Sequence, residues 1–286
     1  MDNSLKKSYQ FCLEITNRHY ENFPVASLLI PRSKRKYIAA IYTFARIADD
    51  IADLSDLSSM DRIKKLEDYK KLFLLKRVND ENFHFLAIFD TINNNHIKEE
   101  HFLKLIDAFI IDNQKSEYLD WKELLEYCER SANTIGRIIL ELFEIKHEKA
   151  FQLSDKICTA LQLTNFLQDF RNDILSRRFY IPQEILLKYN LNNDLLLLHA
   201  EKRLWNKNLA DMMKEIVDFT FSLFTEGKDL LNFLSGRLFY EIKLTILGGE
   251  EILKKIIRNN YNVFNTRPIL RKSDWVKILL KGLINV

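Results

Sequence analysis

Along most of this chain apolar residues recur every three or four positions, and almost nothing interrupts them. Its 286 residues include only 6 Gly and 4 Pro, far fewer than the tight turns of a sheet-rich fold require. A period near 3.6 with few breakers specifies long amphipathic helices. The pattern predicts helices over 5–20, 34–53, 60–77, 82–92, 99–111, 121–143, 154–174, 194–224 and 227–259, with a short one near the C-terminus. Pro24 and Pro31 bracket a loop, Asn93, Asn94 and Asn95 mark a turn, and Pro182 stops the chain soon after Ile174. No linker, repeat or low-complexity tract divides the sequence, and 47% hydrophobic residues supply a sizeable core. The economical expectation is one all-α domain, a single-domain helical bundle over 1–286.

Charge and cysteine usage exclude several classes. A net charge of +3, evenly spread, gives no basic surface for nucleic acid. Cys12, Cys128 and Cys158 are odd in number and lack C-x-x-C spacing, which argues against a disulfide framework or a zinc site and for a reducing compartment. The N-terminal residues are charged throughout, with no signal-peptide core, so a cytoplasmic location is expected. No apolar run approaches a membrane span of roughly 18–20 residues. IVDFTFSLF and WVKILLKGLINV are amphipathic enough to lie on a membrane surface, at the inner face of the cell membrane, although core-facing stripes are the commoner use of such helices.

The segment ARIADDIADL, residues 45–54, sets three carboxylates into an otherwise apolar run. At helical spacing Tyr42, Arg46, Asp49 and Asp53 share one stripe, with Asp50 turned elsewhere. Like charges four apart repel, and burial raises the cost, so a cation is expected there. LQLTNFLQDFRNDI repeats the design: Asn165, Asp169 and Asp173 recur every four, with Gln162 one turn earlier. Two such rows facing each other would gather oxygen ligands of the kind Mg²⁺ prefers, completed by water and substrate phosphate. After the second row, SRRFYIP puts Arg177 and Arg178 where they can neutralise an anion and Tyr180 where it can close over it. A diphosphate bridged by magnesium fits these groups.

Other readings account for less. Glu81-x-x-His84 and Glu144-x-x-His147 match half of a di-iron carboxylate signature, but neither lies in an apolar stripe, and surface histidines beside a chance glutamate explain them better. Cys128 with His19 or His101 as a nucleophilic pair has nothing to orient it. A catalytically silent scaffold would be expected to lose an acid stripe, and both are intact.

The paired stripes, with RRFYIP after the second, resemble the squalene/phytoene synthase family of all-α, isoprenoid synthase-type prenyl synthases with a central active-site cavity. HYENFPVASLLIP, YCERSANTIGRIILELF, KLTILGGEEILKKI and YNVFNTRPIL are similar to the hydroxysqualene-forming branch of hopanoid pathways. The resemblance implies magnesium held by Asp49, Asp53, Asn165, Asp169 and Asp173, diphosphate contacts from Arg46 and Arg178, and Tyr180 at the flap. It places His19, Asn22 and Phe23 in the N-terminal substrate segment and Tyr42 and Gln162 along the cavity. It further implies presqualene diphosphate as substrate, water as terminal nucleophile, no nicotinamide cofactor, and docking to neighbouring pathway enzymes. Aromatic walls, including Phe23, Phe44 and Phe166, would shield the cation. Gln168 and Asn172 stand where many condensing relatives carry Arg and Glu, a departure that favours a substrate with a single diphosphate.

Overall fold

The structure, a computed structural model, describes residues 3–18 and 30–284. In chain order the helices are α1 (Asn3–Arg18), α2 (Arg32–Ala52), α3 (Ser59–Leu74), α4 (Phe85–Asn95), α5 (Glu99–Gln114), α6 (Trp121–Cys128), α7 (Thr134–Leu142), α8 (Glu148–Leu175), α9 (Gln183–Lys188), α10 (Asn193–Lys202), α11 (Lys207–Gly227), α12 (Gly236–Arg258) and α13 (Lys272–Ile284). A π-helical turn covers Glu129–Asn133 and a 3-10 turn Lys228–Phe233. Among the described residues no strand forms; Glu117 and Phe179 make an isolated parallel bridge. The fold is all-α, and the chain gathers into two compact units: Met1–Gln114 with Thr134–His147, and Lys115–Asn133 with Glu148–Val286.

The first unit is built on the apolar faces of α1 to α5 and α7. At its centre Phe44 is fully buried, with the rings of Tyr69, Phe73, Phe85 and Phe102 at centroid distances of 5.2–6.1 Å in tilted and edge-on pairs, the arrangement that ring quadrupoles favour. Side-chain caps fix where helices begin: Ser58 Oγ accepts the Asp61 N–H at 3.2 Å at the start of α3.

In the second unit α8 is apolar on several faces, as a helix enclosed by others must be. It packs along α11 and α12. Two glycines let these helices approach: a Cβ on Gly227 would meet Ile157 Cδ1 at 2.6 Å, and one on Gly249 would meet Phe224 Cζ at 2.5 Å. Both contacts lie well inside van der Waals distance.

Several boundaries differ from those the periodicity predicts. The 121–143 helix breaks at the Glu129–Asn133 π turn, where the Asn133 side chain accepts a hydrogen bond from Thr159 of α8 at 2.9 Å. The 194–224 helix breaks at Arg203, which is left-handed (φ 52°), and restarts where Asn206 caps the Leu209 N–H. Asn93–Asn95 is the end of α4 rather than a turn: the Asn95 amide donates to the Thr91 carbonyl at 2.9 Å, and His96 makes the left-handed stop. A tertiary partner accompanies the first of these breaks, whereas left-handed stops and a local side-chain cap set the other two.

Candidate active site

Both acidic stripes finish at the C-terminal end of a helix, where the macrodipole is already negative. Neither α2 nor α8 carries a basic residue in its last turn. Local electrostatics are therefore wrong at both ends, and each end recruits an arginine.

On α2 the cation is Arg46. Its Nη1 lies 3.2 Å from Asp49 and its Nη2 2.6 Å from Asp50, so Asp50 joins the cluster instead of pointing elsewhere. Asp53 caps the helix and is exposed, its N–H donating to the Asp49 carbonyl at 3.0 Å. Tyr42, half-buried on the same face, has its phenol pKa pushed up by burial, with Arg46 opposing and Asp49 and Asp50 adding to the rise. Tyr42, Arg46 and Asp49 thus act on one another, as their spacing predicts.

On α8 the cation comes from far along the chain. Arg267 grips Asp169 with both arms, Nε to Oδ1 at 2.5 Å and Nη2 to Oδ2 at 2.9 Å. This fork geometry is the strong form of a carboxylate pair. The Asp169 hydrogen bond holds the guanidinium pKa above its usual value against partial burial, and Asp173 adds to the effect. The segment bearing Arg267 is tied down twice: Gln168 donates to the Pro268 carbonyl at 2.6 Å, and the buried Phe264 stacks on Phe170 with centroids 5.6 Å apart. Asn165 is exposed on α8 and Gln162 half-buried. A cavity of about 160 Å³ opens at this end, lined by Asp169, Arg171, Asn172, Arg203 and Arg267 among others. It is smaller than a pocket for a drug-sized ligand, typically about 300 Å³ or more.

The RRFYIP segment follows directly. Arg177 is exposed and left-handed (φ 57°) in the turn that ends α8, and the Arg178 N–H donates to the Asp173 carbonyl at 2.8 Å. Phe179 N–H then donates to Ser116 at 2.7 Å and Gln183 N–H to Tyr118 at 2.9 Å, zipping the segment onto residues 116–118. Tyr180 lies flat on Phe166, centroids 4.0 Å apart and planes 9° apart, beside Tyr118 and Tyr127. Phe166 therefore packs in an aromatic cluster with Tyr180 and Tyr127.

Other expectations fare differently. Phe44 is a core residue of the first unit and not a cavity wall. His19, Asn22 and Phe23 lie outside the described residues. His84 is buried, not at the surface: its Nε2 is 2.9 Å from the Tyr69 hydroxyl, and burial depresses its pKa to about 4. Cys128 is fully buried, which pushes its thiol up to about 12 and leaves it a poor nucleophile. Arg267 leaves no mark in the local pattern, because it sits in a loop between α12 and α13 with no periodicity; only its place in YNVFNTRP sets that stretch apart.

The all-α fold is of the squalene synthase type: the solved squalene synthase HpnC from Alicyclobacillus acidocaldarius superposes with a TM-score of 0.83 at 32% identity, over 92% of this chain and 97% of that one. Residues 16–274 match the squalene/phytoene synthase family model, and the chain belongs to that family. Over 169 residues it is 36% identical to the hydroxysqualene synthase of Zymomonas mobilis, a match covering 58% of this chain and 56% of that enzyme's length. It is 26% identical to the 15-cis-phytoene synthase of Synechococcus elongatus over 94% of this chain and 91% of that one.

Proposed function

We propose that this chain ionises presqualene diphosphate with the help of magnesium and lets water capture the resulting cation, giving hydroxysqualene. The observation that carries this reading is the 36% identity to a hydroxysqualene synthase, in a chain that keeps both acidic stripes. Asp49, Asp53, Asn165, Asp169 and Asp173 would hold the metal. All are oxygen donors, the chemistry Mg²⁺ selects. Among the described residues no three His, Cys, Asp or Glu side chains form a metal cage, and Mg²⁺ asks for none, since it keeps waters and substrate phosphate in its shell. Bound there, it would supply positive charge to the departing diphosphate. Arg46 and Arg178 bind that anion, Tyr42, Gln162, His19, Asn22 and Phe23 position the substrate, and the Tyr180–Phe166 stack shields the cation with ring faces and excludes bulk water.

A head-to-head condensing reaction, making presqualene diphosphate, squalene or a phytoene-type product from prenyl diphosphates, is the second reading. The near full-length match to a phytoene synthase favours it. So does Arg267, because it gives the second stripe a cation despite Gln168; only Asn172 still leaves that stripe one carboxylate poorer. Incubating the chain with magnesium and without NADPH separates the two. Presqualene diphosphate should yield a thirty-carbon alcohol carrying oxygen from solvent, one diphosphate released per alcohol, and farnesyl diphosphate alone should persist. Consumption of farnesyl diphosphate, or squalene formed only with NADPH, would transfer the assignment to a condensing or reducing enzyme.

Arg267 leads to a prediction about the metal. A guanidinium already paired with Asp169 competes with an incoming cation. Arg267→Gln should therefore bind Mg²⁺ about three- to tenfold more tightly in calorimetry without substrate, the scale of a partly exposed charge pair. Unchanged affinity would mean that Asp169 does not ligate the metal.

Substrate and product are long apolar chains, so the reading includes peripheral contact with the inner face of the cell membrane and exchange with neighbouring enzymes of the pathway.

A further inference from the structure

Helix α13 has a packed side and an apolar outward side, and among the described residues only the first is covered. Ile278 is 3% exposed, and Asp274 and Gly282 are buried on the same side. This side is fixed firmly. A Cβ on Gly282 would meet Leu244 Cδ2 of α12 at 2.6 Å, the Gly282 carbonyl accepts a hydrogen bond from the buried Lys243 Nζ at 2.9 Å, and Asp274 pairs with Lys255 at 2.8 Å. The helix cannot simply roll over to bury its other side without breaking these contacts.

That other side carries Val276, Leu279, Leu280 and Leu283 at positions i, i+3, i+4 and i+7, with 57%, 42%, 54% and 65% of their surfaces exposed. Spacing of this kind makes a continuous stripe. Single exposed leucines are ordinary, whereas a row of four held outward on a pinned helix marks an interaction surface. Its charges select the partner. Lys272, Lys277 and Lys281 are exposed along the helix, Arg271 precedes it, and its one acidic residue, Asp274, is buried in the pair with Lys255.

We infer that α13 is an interfacial membrane helix, its stripe of Val276, Leu279, Leu280 and Leu283 entering the acyl boundary of an anionic lipid surface while its lysines meet the headgroups. A second copy of the chain is the poorer occupant. Two stripes meeting about a twofold axis would also bring their lysines together, with no exposed carboxylate on either helix to offset them. Among the described residues no helix is long and apolar enough to cross a membrane, so contact through α13 lies in the interface plane. This inference deepens the membrane part of the proposed function by naming the surface and the lipid class.

Cosedimentation of the full chain with vesicles, in the absence of any prenyl diphosphate, tests it independently of the reaction. Phosphatidylglycerol vesicles should bind the chain, and pure phosphatidylcholine vesicles should bind it at least about tenfold more weakly, because each lysine near an anionic surface adds favourable energy. Leu280→Glu with Leu283→Glu should lower partitioning at least about tenfold without lowering the thermal midpoint, since both side chains are exposed. Val276→Ser with Leu279→Ser provides the uncharged version and should act in the same direction. Lys277→Gln with Lys281→Gln should remove the preference for the anionic lipid. Failure of the unaltered chain to bind anionic vesicles, or equal binding by the stripe variants, overturns the inference. So would sedimentation velocity showing a dimer that the stripe variants dissociate, which would make the stripe an interface between copies. Loss of the hydroxysqualene reading would leave these outcomes unchanged.

Discussion

Replacing Asp169 or Asp53 by Asn is expected to lower turnover of a prenyl diphosphate by at least about a hundredfold, equivalent to about 2.7 kcal/mol of lost transition-state stabilisation. The reason lies in where these carboxylates stand. Asp53 caps α2, and Asp173, one turn after Asp169 in the same stripe, lies in the last turn of α8, each at the negative end of a helix whose last turn contains no basic residue. A carboxylate in that position opposes the helix dipole by about 0.3–1 kcal/mol. Selection for stability alone would not keep a row of them. Asp53→Asn should therefore leave the thermal midpoint unchanged or slightly raised, while Asp169→Asn should cost up to about 1 kcal/mol, the scale of its partly exposed pair with Arg267. Diphosphate release and thermal unfolding followed by circular dichroism read the two effects separately. Near-normal turnover in either variant with a native helical signal would remove that residue from the reaction, and a large fall in midpoint alongside lost turnover would make its role structural.

The parts of this protein that are legible in its sequence are those governed by period. Tyr42, Arg46 and Asp49 cluster because positions three and four apart on α2 must, and Asn165, Asp169 and Asp173 fall on one side of α8 for the same reason. The all-α class follows from the same regularity and from the scarcity of Gly and Pro. Features set by long-range contact are not legible. Arg267 reaches Asp169 across 98 positions of sequence, and no local pattern records that pairing. The π turn at Glu129–Asn133 contains neither Gly nor Pro, and the hydrogen bond that Asn133 accepts there comes from Thr159, 26 positions away. Amphipathicity was ambiguous in a third way. IVDFTFSLF and WVKILLKGLINV have similar patterns, yet Ile216, Val217 and Phe224 are buried whereas Val276, Leu280 and Leu283 face outward. A hydrophobic face states that something must cover it, and leaves open whether protein or lipid does so.

Phe44 poses the sharpest test of that distinction between period and contact. It lies one turn before Ala48 on α2, and the family resemblance implies that it is a wall of the site. Its side chain is 0% exposed and surrounded by Tyr69, Phe73, Phe85 and Phe102. Truncation to Ala in such a setting removes a ring that neighbours cannot replace, so the cavity adds to the lost transfer energy. Phe44→Ala should cost about 3–5 kcal/mol. For a unit of this size that corresponds to a fall in thermal midpoint of roughly 10 °C. Phe44→Leu, which refills most of the volume, should recover more than half of the loss. If Phe44 instead lined the reacting cation, both variants would keep nearly normal stability and change the ratio of products, because a missing ring face would leave the cation open to capture at other carbons. Urea unfolding and product analysis on the same preparations discriminate these outcomes. A stable Phe44→Ala protein with altered products would return this residue to the site and move the boundary between core and cavity one helical turn closer to Tyr69.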